Sequence, residues 1–283
     1  MTGELASSRT FLVTGATDGL GRALAARLVA DGARVLLHGR DRGRLDATLA
    51  ELSSDQAGGY LADFSDLDQV AAMADRIADE HPRLDVLVNN AGIGSGPRGD
   101  VRRETSVQGH ELRFQVNYLA GFLLTEHLEA TLRATPDARV VNVASIGQHA
   151  IELEDVMLTR GYTGTRAYGQ SKLAQIMHAL DLADRLRDSG VRANALHPAS
   201  LMDTKMVRET FGASMSTVED GLRATLRLVV PSNAVAMSAS GQFYNGEREA
   251  RPDPQAYDAH VRQELRALSL RLIAPHISRR RDS

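Results

Sequence analysis

The sequence predicts an α/β protein built on a doubly wound parallel sheet, with helices on both faces in a three-layer α/β/α arrangement. From Thr10 onward, short apolar runs alternate with helical patterns of ten or more residues. Connections of that length favour parallel pairing of the runs through right-handed crossovers. Polar residues and glycines follow the runs where they end, as binding residues do at the carboxyl edge of such a sheet.

The first strand and helix enclose a glycine-rich turn. An apolar run begins at Thr10 and ends at Gly15, and a helical pattern covers 22–30. Glycines permit a tight turn, and a helix N-terminus presents unpaired N–H groups to phosphate. The spacing of Gly15, Gly19 and Gly21 departs from the common dinucleotide pattern Gly-x-Gly-x-x-Gly, so an ordinary strand-to-helix turn is the alternative.

The alternation continues along the chain. Further strands are predicted at 34–38, 59–62, 84–88, 139–143, 190–196 and 241–244, and further helices at 42–52, 65–80, 105–132, 165–186, 219–230 and 262–273. The loosely periodic segment 199–218 is expected to be a loop or short helix that covers a binding site. The sequence has no evident linker or repeat, so residues 1–283 are interpreted as one domain with a frayed tail at 278–283.

Composition excludes several functional classes. A formal net charge of -3 and a pI near 6.3 argue against a nucleic-acid-binding protein. No run approaches the ~20 apolar residues of a membrane span, and residues 1–9 hold no signal-type run, so a cytoplasmic protein is expected. The absence of cysteine excludes disulfides and thiol catalysis. His38, His149 and His197 have no partners at metal-ligand spacing, so no metal site is expected.

Tyr168 and Lys172 are four residues apart in a helical pattern and therefore share one face of the predicted helix. Moving a phenol pKa from about 10 to about 7 requires roughly 4 kcal/mol, which one ammonium about 4 Å away supplies at an effective dielectric of about 20. The pair is therefore a candidate for proton exchange at neutral pH. The alternative is a solvated surface pair, because this spacing is common on helices.

The predicted carboxyl edge carries further polar candidates. Arg40 follows the second strand where an acidic residue would bind the ribose of NAD, which favours NADP over NAD because arginine pairs with a 2′-phosphate. The alternative is that Arg40 is a solvated member of the charge cluster 40–44. Asn117 lies inside an apolar helical pattern, either as a satisfied core amide or at a local kink. Ser145 places a hydroxyl after the fifth strand.

In order along the chain, several motifs together closely resemble the short-chain dehydrogenase/reductase family: Thr14-Gly-Ala-Thr-Asp-Gly-Leu-Gly21, Asp63, Asn89-Asn-Ala-Gly92, Asn117, Ser145 and Tyr168-x-x-x-Lys172. The resemblance extends from Thr10 to about Ile273. It implies a Rossmann-type NAD(P)-binding domain and an oxidoreductase that transfers hydride between the nicotinamide cofactor and a ketone or secondary alcohol. It also implies that the two longest helices could pair in a homodimer or homotetramer, unless the last helix blocks that face.

The resemblance assigns roles to individual residues. Tyr168 would be the general acid/base, Ser145 would hydrogen-bond the substrate oxygen, and Lys172 would lower the phenol pKa and hold the nicotinamide ribose. Asn117 would position a water molecule linked to Lys172. The residues implied to contact the cofactor are Gly15, Thr17, Asp18, Gly19, Leu20, Gly21, Arg40, Asp63, Phe64, Asn90, Ala91, Gly92, Tyr168, Lys172, Pro198, Leu201 and Thr204.

Three features depart from the compact family pattern. The long separation of Ser145 and Tyr168, with Tyr162 shortly before the latter, resembles the retinol dehydrogenase-like and protochlorophyllide reductase-like branch. After the sixth strand the chain reads Pro198-Ala-Ser where the family usually has Pro-Gly, and Asp18 stands where NADP-preferring members often carry a basic or neutral residue. A nucleotide-sensing binding protein, or a non-redox cyclase or isomerase on the same scaffold, is the alternative function.

Overall fold

A central eight-stranded sheet organises the protein, whose computed structural model describes residues 6–97, 99–200, 202–203, 215–232 and 237–277. The strands are β1 (Thr10–Val13), β2 (Arg34–Gly39), β3 (Ala57–Leu61), β4 (Val86–Asn89), β5 (Arg139–Val143), β6 (Arg192–His197), β7 (Gln242–Asn245) and β8 (Arg248–Ala250). Their order is β3-β2-β1-β4-β5-β6-β7-β8. The pairs from β3 to β7 are parallel, and β7 with β8 is antiparallel. The predicted doubly wound parallel sheet is therefore confirmed.

Seven helices flank the sheet in the described part of the chain. They are α1 (Gly19–Ala30), α2 (Arg42–Leu52), α3 (Leu67–Glu80), α4 (Ala120–Ala134), α5 (Gly164–Arg185), α6 (Val218–Val229) and α7 (Ala259–Ile277). One buried cluster joins the sheet to α1, α2 and α6, and a second joins it to α3, α4, α5 and α7. The sheet thus lies between two helical layers.

The apolar strands explain why both faces are covered. All residues of β1, β4 and β5 are buried, and a strand whose side chains alternate between faces can be buried throughout only if helices cover both. Helix starts follow the capping residues: Asp41 accepts a hydrogen bond from Arg44 N at 2.8 Å, and Thr163 accepts one from Arg166 N at 3.1 Å. Asp18 caps α1 in the same way, so this helix begins three residues before the predicted start at 22.

The helix predicted at 105–132 begins too early. Residues 105–111 instead form a short antiparallel bridge between Thr105 and Glu111, with Gly109 at φ +79°. The Glu111 carboxylate then accepts a hydrogen bond from Phe114 N at 2.6 Å, and a π-helical turn, Phe114–Leu119, leads into α4. A glycine in the left-handed region and an acidic cap end the upstream segment before the helix can form.

Strand β8 was absent from the sequence prediction, which ended the sheet at 244. Asn245 pairs with Arg248 around a two-residue turn whose first residue, Gly246, has φ +59°. A glycine at that position is typical of tight hairpins. The hairpin therefore adds an antiparallel strand to the edge of the parallel sheet.

Helix α7 lies on the helices through which pairing with a second copy was expected. Tyr118 Oη and Ser269 Oγ are 2.8 Å apart, and the guanidinium of Arg266 reaches Glu126 of α4 at 3.3 Å and Asp181 of α5 at 3.5 Å. The surface of α4 and α5 that α7 covers is not open to another chain. Formation of a homodimer or homotetramer stays a prediction.

Only the ends of the segment 199–218 belong to the described residues. Met202 bridges Ser216, and Asp203 N donates to Ser216 O at 3.0 Å, so the two ends of the segment are joined. Ser216 Oγ also donates to Ser200 O at 2.5 Å. The residues between them, and therefore the predicted covering role, lie outside the described part of the chain.

Candidate active site

Glycines shape the turn between β1 and α1. Gly15 and Gly19 have φ values of +66° and +49°, in the left-handed region that favours glycine. A Cβ atom at Gly21 would lie 2.2 Å from Gly15 O, closer than van der Waals contact allows. The turn and the first turn of α1 can therefore approach only because this position has no side chain.

Thr14 and Asn90 fasten this turn to the end of β4. Thr14 Oγ1 accepts hydrogen bonds from Asn90 N at 2.9 Å and from Ala91 N at 3.0 Å, and it donates to Val88 O at 3.1 Å. Asn90 Nδ2 donates to Thr14 O at 2.8 Å and to Gly15 O at 3.2 Å. The amide predicted to lie beside the adenosine ribose therefore also holds the glycine turn in place.

His38 ties the same turn to the ends of β2 and β3. Gly15 N donates to His38 Nδ1 at 3.1 Å, which leaves the hydrogen on Nε2 for donation to Ala62 O at 3.0 Å. Burial lowers the pKa of His38 to about 4, so the ring is neutral at pH 7. The ring stacks on Phe64 with centroids 4.2 Å apart. The side chain of Phe64, predicted to contact the cofactor, is therefore buried against His38.

The basic residue expected to select the cofactor lies on the surface at the end of β2. Arg40 is exposed, and no carboxylate of the described residues forms an ion pair with it. The Asp18 carboxylate accepts a hydrogen bond from Gly19 N at 2.7 Å and lies 3.7 Å from Arg44 Nη1. The negative charge of Asp18 in the glycine turn is thus partly offset, while Arg40 stays available to an anion.

Tyr168 and Ser145 meet at the carboxyl edge of the sheet. Tyr168 lies in the second turn of α5 and Ser145 follows β5, and a hydrogen-bonding contribution from the Ser145 side chain lowers the pKa of the Tyr168 phenol in part. Ser145 Oγ also accepts a hydrogen bond from Gly147 N at 3.0 Å, which leaves its own hydrogen for an oxygen. A Cβ atom at Gly147 would lie 3.5 Å from Ser145 Oγ and 3.9 Å from Tyr168 Cε1. A larger residue there would therefore fill space beside the hydroxyl pair.

Lys172 is buried one turn further along α5, which rules out the solvated surface pair. Its Nζ lies 5.6 Å from the centre of the Tyr168 ring and donates to Val143 O at 3.1 Å and to Gln175 Oε1 at 2.8 Å. Burial lowers the pKa of Lys172 to about 7, and burial raises the pKa of Tyr168, although the bond to Ser145 lowers it in part. The lowering of the phenol pKa expected from spacing alone is therefore not observed, since burial disfavours both charged forms.

Asn117 lies within the π-helical turn and clamps the loop after β4. Its Oδ1 accepts from Ile93 N at 2.7 Å, while its Nδ2 donates to Ile93 O at 3.1 Å and to Ser171 Oγ at 2.9 Å. A Cβ atom at Gly92 would lie 3.1 Å from Asn117 Oδ1 and 3.5 Å from Lys172 Nζ. Asn117 is thus both a satisfied amide and part of a local helix distortion, and it adjoins Lys172.

The remaining residues predicted to contact the cofactor differ in their exposure and in their contacts with other residues. Leu20 and Pro198 are buried, and their side chains both pack near Gly221 at the start of α6. The Thr17 side chain covers Gly39, and Asp63 Oδ1 accepts from Ser65 N at 2.9 Å. Leu201 and Thr204 lie outside the described residues.

These residues fit a phosphate-bearing dinucleotide. The N-terminus of α1, where N–H groups favour an anion, opens from the glycine turn, and the exposed Arg40 lies at the end of the neighbouring strand. Lys172 approaches the same edge from α5 without a carboxylate partner in the described chain. The edge therefore offers N–H and guanidinium groups that suit phosphates, and an ammonium group that suits the hydroxyls of a ribose.

Hydrogen bonds from the C-terminal part of the chain fix the loop after Ser145. Asp253 N donates to Gln148 Oε1 at 2.8 Å, and Ile151 N donates to Gln255 Oε1 at 2.6 Å. Gln255 Nε2 donates back to Ile151 O at 3.0 Å. His149, in the middle of this loop, is exposed and packs over Gly169, the residue after Tyr168 in α5.

Sequence reasoning missed three side chains that hold the site together. Gln175 binds Lys172, His38 binds the glycine turn, and Arg113 donates to Gly94 O at 2.9 Å and to Tyr162 Oη at 2.7 Å. Gln175 carried a usable signal, because it is a polar residue one turn after Lys172 within an apolar stripe. The other two contacts depend on strand order, which the sequence pattern did not specify.

Neither a metal-binding cluster nor a membrane-spanning helix is found among the described residues. In that part of the chain, no three His, Cys, Asp or Glu side chains converge as metal ligands. Within the same residues, no helix has the length and apolar character to cross a bilayer.

Comparison with known proteins agrees with this geometry. Residues 9–214 match the family described as short chain dehydrogenase. Retinol dehydrogenase 13 of Homo sapiens is 32% identical over 94% of this chain and 84% of its own length. A Streptomyces sp. (strain C5) protein that bears the name of a daunorubicin C-13 ketoreductase, DnrU, is 36% identical over 77% of this chain and 75% of its own. A crystal structure of an uncharacterised protein from Mycobacterium Paratuberculosis superposes with TM-score 0.77 at 30% identity, covering 95% of this chain and 94% of that one.

Proposed function

Because the chain belongs to the short-chain dehydrogenase family, in its retinol dehydrogenase-like branch, we propose that it is an NADP-dependent oxidoreductase that interconverts a ketone and a secondary alcohol. The observation that carries the proposal is that the side chains of Ser145 and Tyr168 lie together around Gly147, beside the buried Lys172. A bound nicotinamide cofactor would supply or accept the hydride.

The hydroxyl pair suits the proton half of that reaction. A carbonyl oxygen placed between the two hydroxyls would accept hydrogen bonds from both, and these bonds strengthen as negative charge develops on the oxygen. Tyr168 would then give its proton to that oxygen, and in the reverse direction it would take the proton of the alcohol. Ser145 would hold the oxygen in place, since its own hydrogen is free of the bond it accepts from Gly147 N.

Lys172 would support Tyr168 through its charge once the lysine is protonated. With a pKa of about 7, the lysine is about half protonated at neutral pH. In its protonated form it stabilises a nearby phenolate and offers hydrogen bonds to ribose hydroxyls. The residues that would hold the rest of the cofactor are the turn 15–21, Arg40 at the 2′-phosphate, Asp63 at the adenine, and 90–92 beside the ribose.

The preference for NADP is supported by charge at the end of β2. Arg40 replaces the acid that would bind a ribose 2′-hydroxyl, and Asp18 is partly neutralised by Arg44. The names of two relatives suggest a bulky, largely apolar alcohol or carbonyl substrate, since one is called a retinol dehydrogenase and the other bears the name of a daunorubicin C-13 ketoreductase. The absence of a side chain at Gly147, beside Ser145 and Tyr168, leaves space that is compatible with such a substrate.

The decisive experiment replaces Tyr168 by phenylalanine. Purified protein is assayed with NADPH and NADH against a carbonyl panel that includes retinal and daunorubicin, and nicotinamide absorbance is followed together with product. We expect Tyr168→Phe to lower kcat by about 100-fold or more, because the general acid is removed. Tyr257→Phe is the matched control, since that ring is 55% exposed and the substitution removes the same hydroxyl group.

Two outcomes would contradict the proposal. Turnover by Tyr168→Phe within a few-fold of the parent protein would exclude the tyrosine as acid/base. Product formation with unchanged nicotinamide absorbance would indicate a non-redox isomerase or cyclase on this scaffold.

A further inference from the structure

We propose that Gln175 is a positioning residue for Lys172, whose side-chain carbonyl holds the lysine ammonium at the end of β5 and sets how much of it is protonated at neutral pH. This inference rests on the proposed function, in which Lys172 acts beside Tyr168. Gln175 lies outside both the motif Tyr168-x-x-x-Lys172 and the glycine turn 15–21.

The geometry around Lys172 Nζ leaves it few acceptors. Its hydrogen bonds go to Val143 O at 3.1 Å and to Gln175 Oε1 at 2.8 Å, so Gln175 supplies the shorter of the two. Lys172 and Gln175 are three apart on α5 and therefore lie on the same side of the helix. Gln175 is 3% exposed, and its own backbone oxygen accepts from Asn142 Nδ2 of β5 at 2.8 Å. The acceptor is thus fixed to the sheet at the level of the lysine.

The charges around Lys172 make this neutral acceptor important. Tyr168 faces the ammonium from the same helix, Asn117 approaches from the π-helical turn, and His197 lies at the end of β6. Burial, with a smaller contribution from Lys172, lowers the pKa of His197 to about 4, so this ring is neutral. No carboxylate of the described residues contributes to the lowered pKa of Lys172, whose cause is burial alone.

An amide oxygen is well suited to this environment. A hydrogen bond to a charged group is worth about 1.5–3 kcal/mol, or roughly one to two pH units of lysine pKa. Without this bond, a smaller fraction of the buried lysine would be protonated at pH 7. A carboxylate in its place would keep the lysine charged but would cancel that charge near Tyr168. Gln175 therefore favours protonation of Lys172 without neutralising its charge.

The composition of the chain allows the lysine to be observed directly. Lys172 and Lys205 are the only lysines in the sequence, so protein labelled with ¹³C at lysine Cε gives two side-chain signals. Lys205→Arg assigns the remaining signal to Lys172, whose chemical shift is followed from about pH 5 to about pH 11. This measurement needs neither substrate nor cofactor.

We expect opposite shifts in two variants. Gln175→Met, which removes the acceptor at similar volume, should lower the pKa of Lys172 by about one pH unit, and Gln175→Glu should raise it by a similar amount. Gln170→Met is the matched control, because Gln170 is equally buried on α5 but bonds to Val156 O and not to Lys172. That control should leave the titration of Lys172 unchanged. Circular dichroism and thermal unfolding establish that each variant is folded.

Two results would overturn the inference. One is a Lys172 titration that is unaffected by both Gln175 substitutions; the other is a displacement in the same direction by methionine and by glutamate, as general loosening of the site would produce. If Gln175→Met does not fold, the Gln175→Glu titration alone decides between a raised and an unchanged pKa. Failure of Tyr168→Phe to lose activity would overturn the proposed reaction but would not alter these titrations, so the two failures are distinguishable.

Discussion

Replacing His178 by leucine should remove a loss of stability that the protein otherwise suffers on acidification. The His178 ring is buried against Phe122, with ring centroids 5.0 Å apart. Asn142 Nδ2, which can only donate, lies 3.4 Å from His178 Nδ1, so the hydrogen of the neutral ring is on Nε2. No described residue accepts that hydrogen. The neutral ring therefore leaves its Nε2 hydrogen without an acceptor, and burial disfavours the protonated ring still more strongly.

The size of the effect follows from the two protonation equilibria. Burial, with repulsion from Arg185 and Arg266, lowers the pKa of His178 in the folded protein to about 3, whereas an unfolded histidine titrates at about 6.5. Because the folded pKa is lowered, the unfolded state takes up the proton first as pH falls. At pH 8 neither state is protonated, and by pH 5 protonation has stabilised the unfolded state by about 2 kcal/mol. The loss begins near pH 7 and continues toward pH 3.

Urea unfolding of the parent protein and of His178→Leu at about pH 8, 7, 6 and 5 measures this difference. We expect the leucine variant to gain about 2 kcal/mol relative to the parent between pH 8 and pH 5. His260→Leu is the matched control, because the His260 side chain is 79% exposed and the change in chemistry is the same. A difference between parent and His178→Leu that stays constant over this range would refute the reasoning.

Two further predictions concern the cofactor edge. Arg40→Ser should raise the dissociation constant of NADPH by about 10- to 100-fold, because a charge-assisted hydrogen bond is lost, and should change that of NADH little. Titration calorimetry measures both dissociation constants. Arg42→Ser removes the same charge from an exposed residue paired with Asp46 and should change neither constant. Gly21→Ala places a methyl group 2.2 Å from Gly15 O. It should lower the free energy of unfolding, measured with urea, by about 2 kcal/mol and should weaken NADPH binding. Gly43→Ala, whose methyl group would have its nearest contact 3.5 Å away, should change neither stability nor NADPH binding. The first prediction is contradicted if Arg40→Ser and the parent protein bind NADPH with equal affinity. The second is contradicted if Gly21→Ala keeps the stability and the NADPH affinity of the parent.

The parallel sheet could be predicted because burial on both faces leaves a strong mark on sequence. Strands such as β1 and β5 are mostly apolar and buried throughout, and their predicted limits agree with the structure to within about two residues. Strand β8 left no such mark, since two of its three residues, Arg248 and Glu249, are charged and exposed. The dipeptide Asn245-Gly246 was the available signal, because glycine in that setting favours a tight hairpin.

The site was predictable in its residue types but not in its energetics. Spacing placed Tyr168 and Lys172 on one helical face, and the order of motifs placed Ser145 at the same edge, as the structure has them. Spacing does not reveal how deeply a pair is buried, and burial decides the direction in which the pKa of each group moves. Contacts between elements distant in sequence, such as His38 with Gly15, also depend on which strands are neighbours.

The loop beside the hydroxyl pair is fastened by residues that are synthesised much later than the loop itself. Gln148 is bonded to Asp253, 105 positions further on, and Ile151 to Gln255, 104 positions further on. A growing chain therefore exposes Ser145 and Tyr168 on the ribosome before it can fix the loop next to them. The loop beside the two hydroxyl groups can therefore be fixed in place only after residues 253–255 have been synthesised.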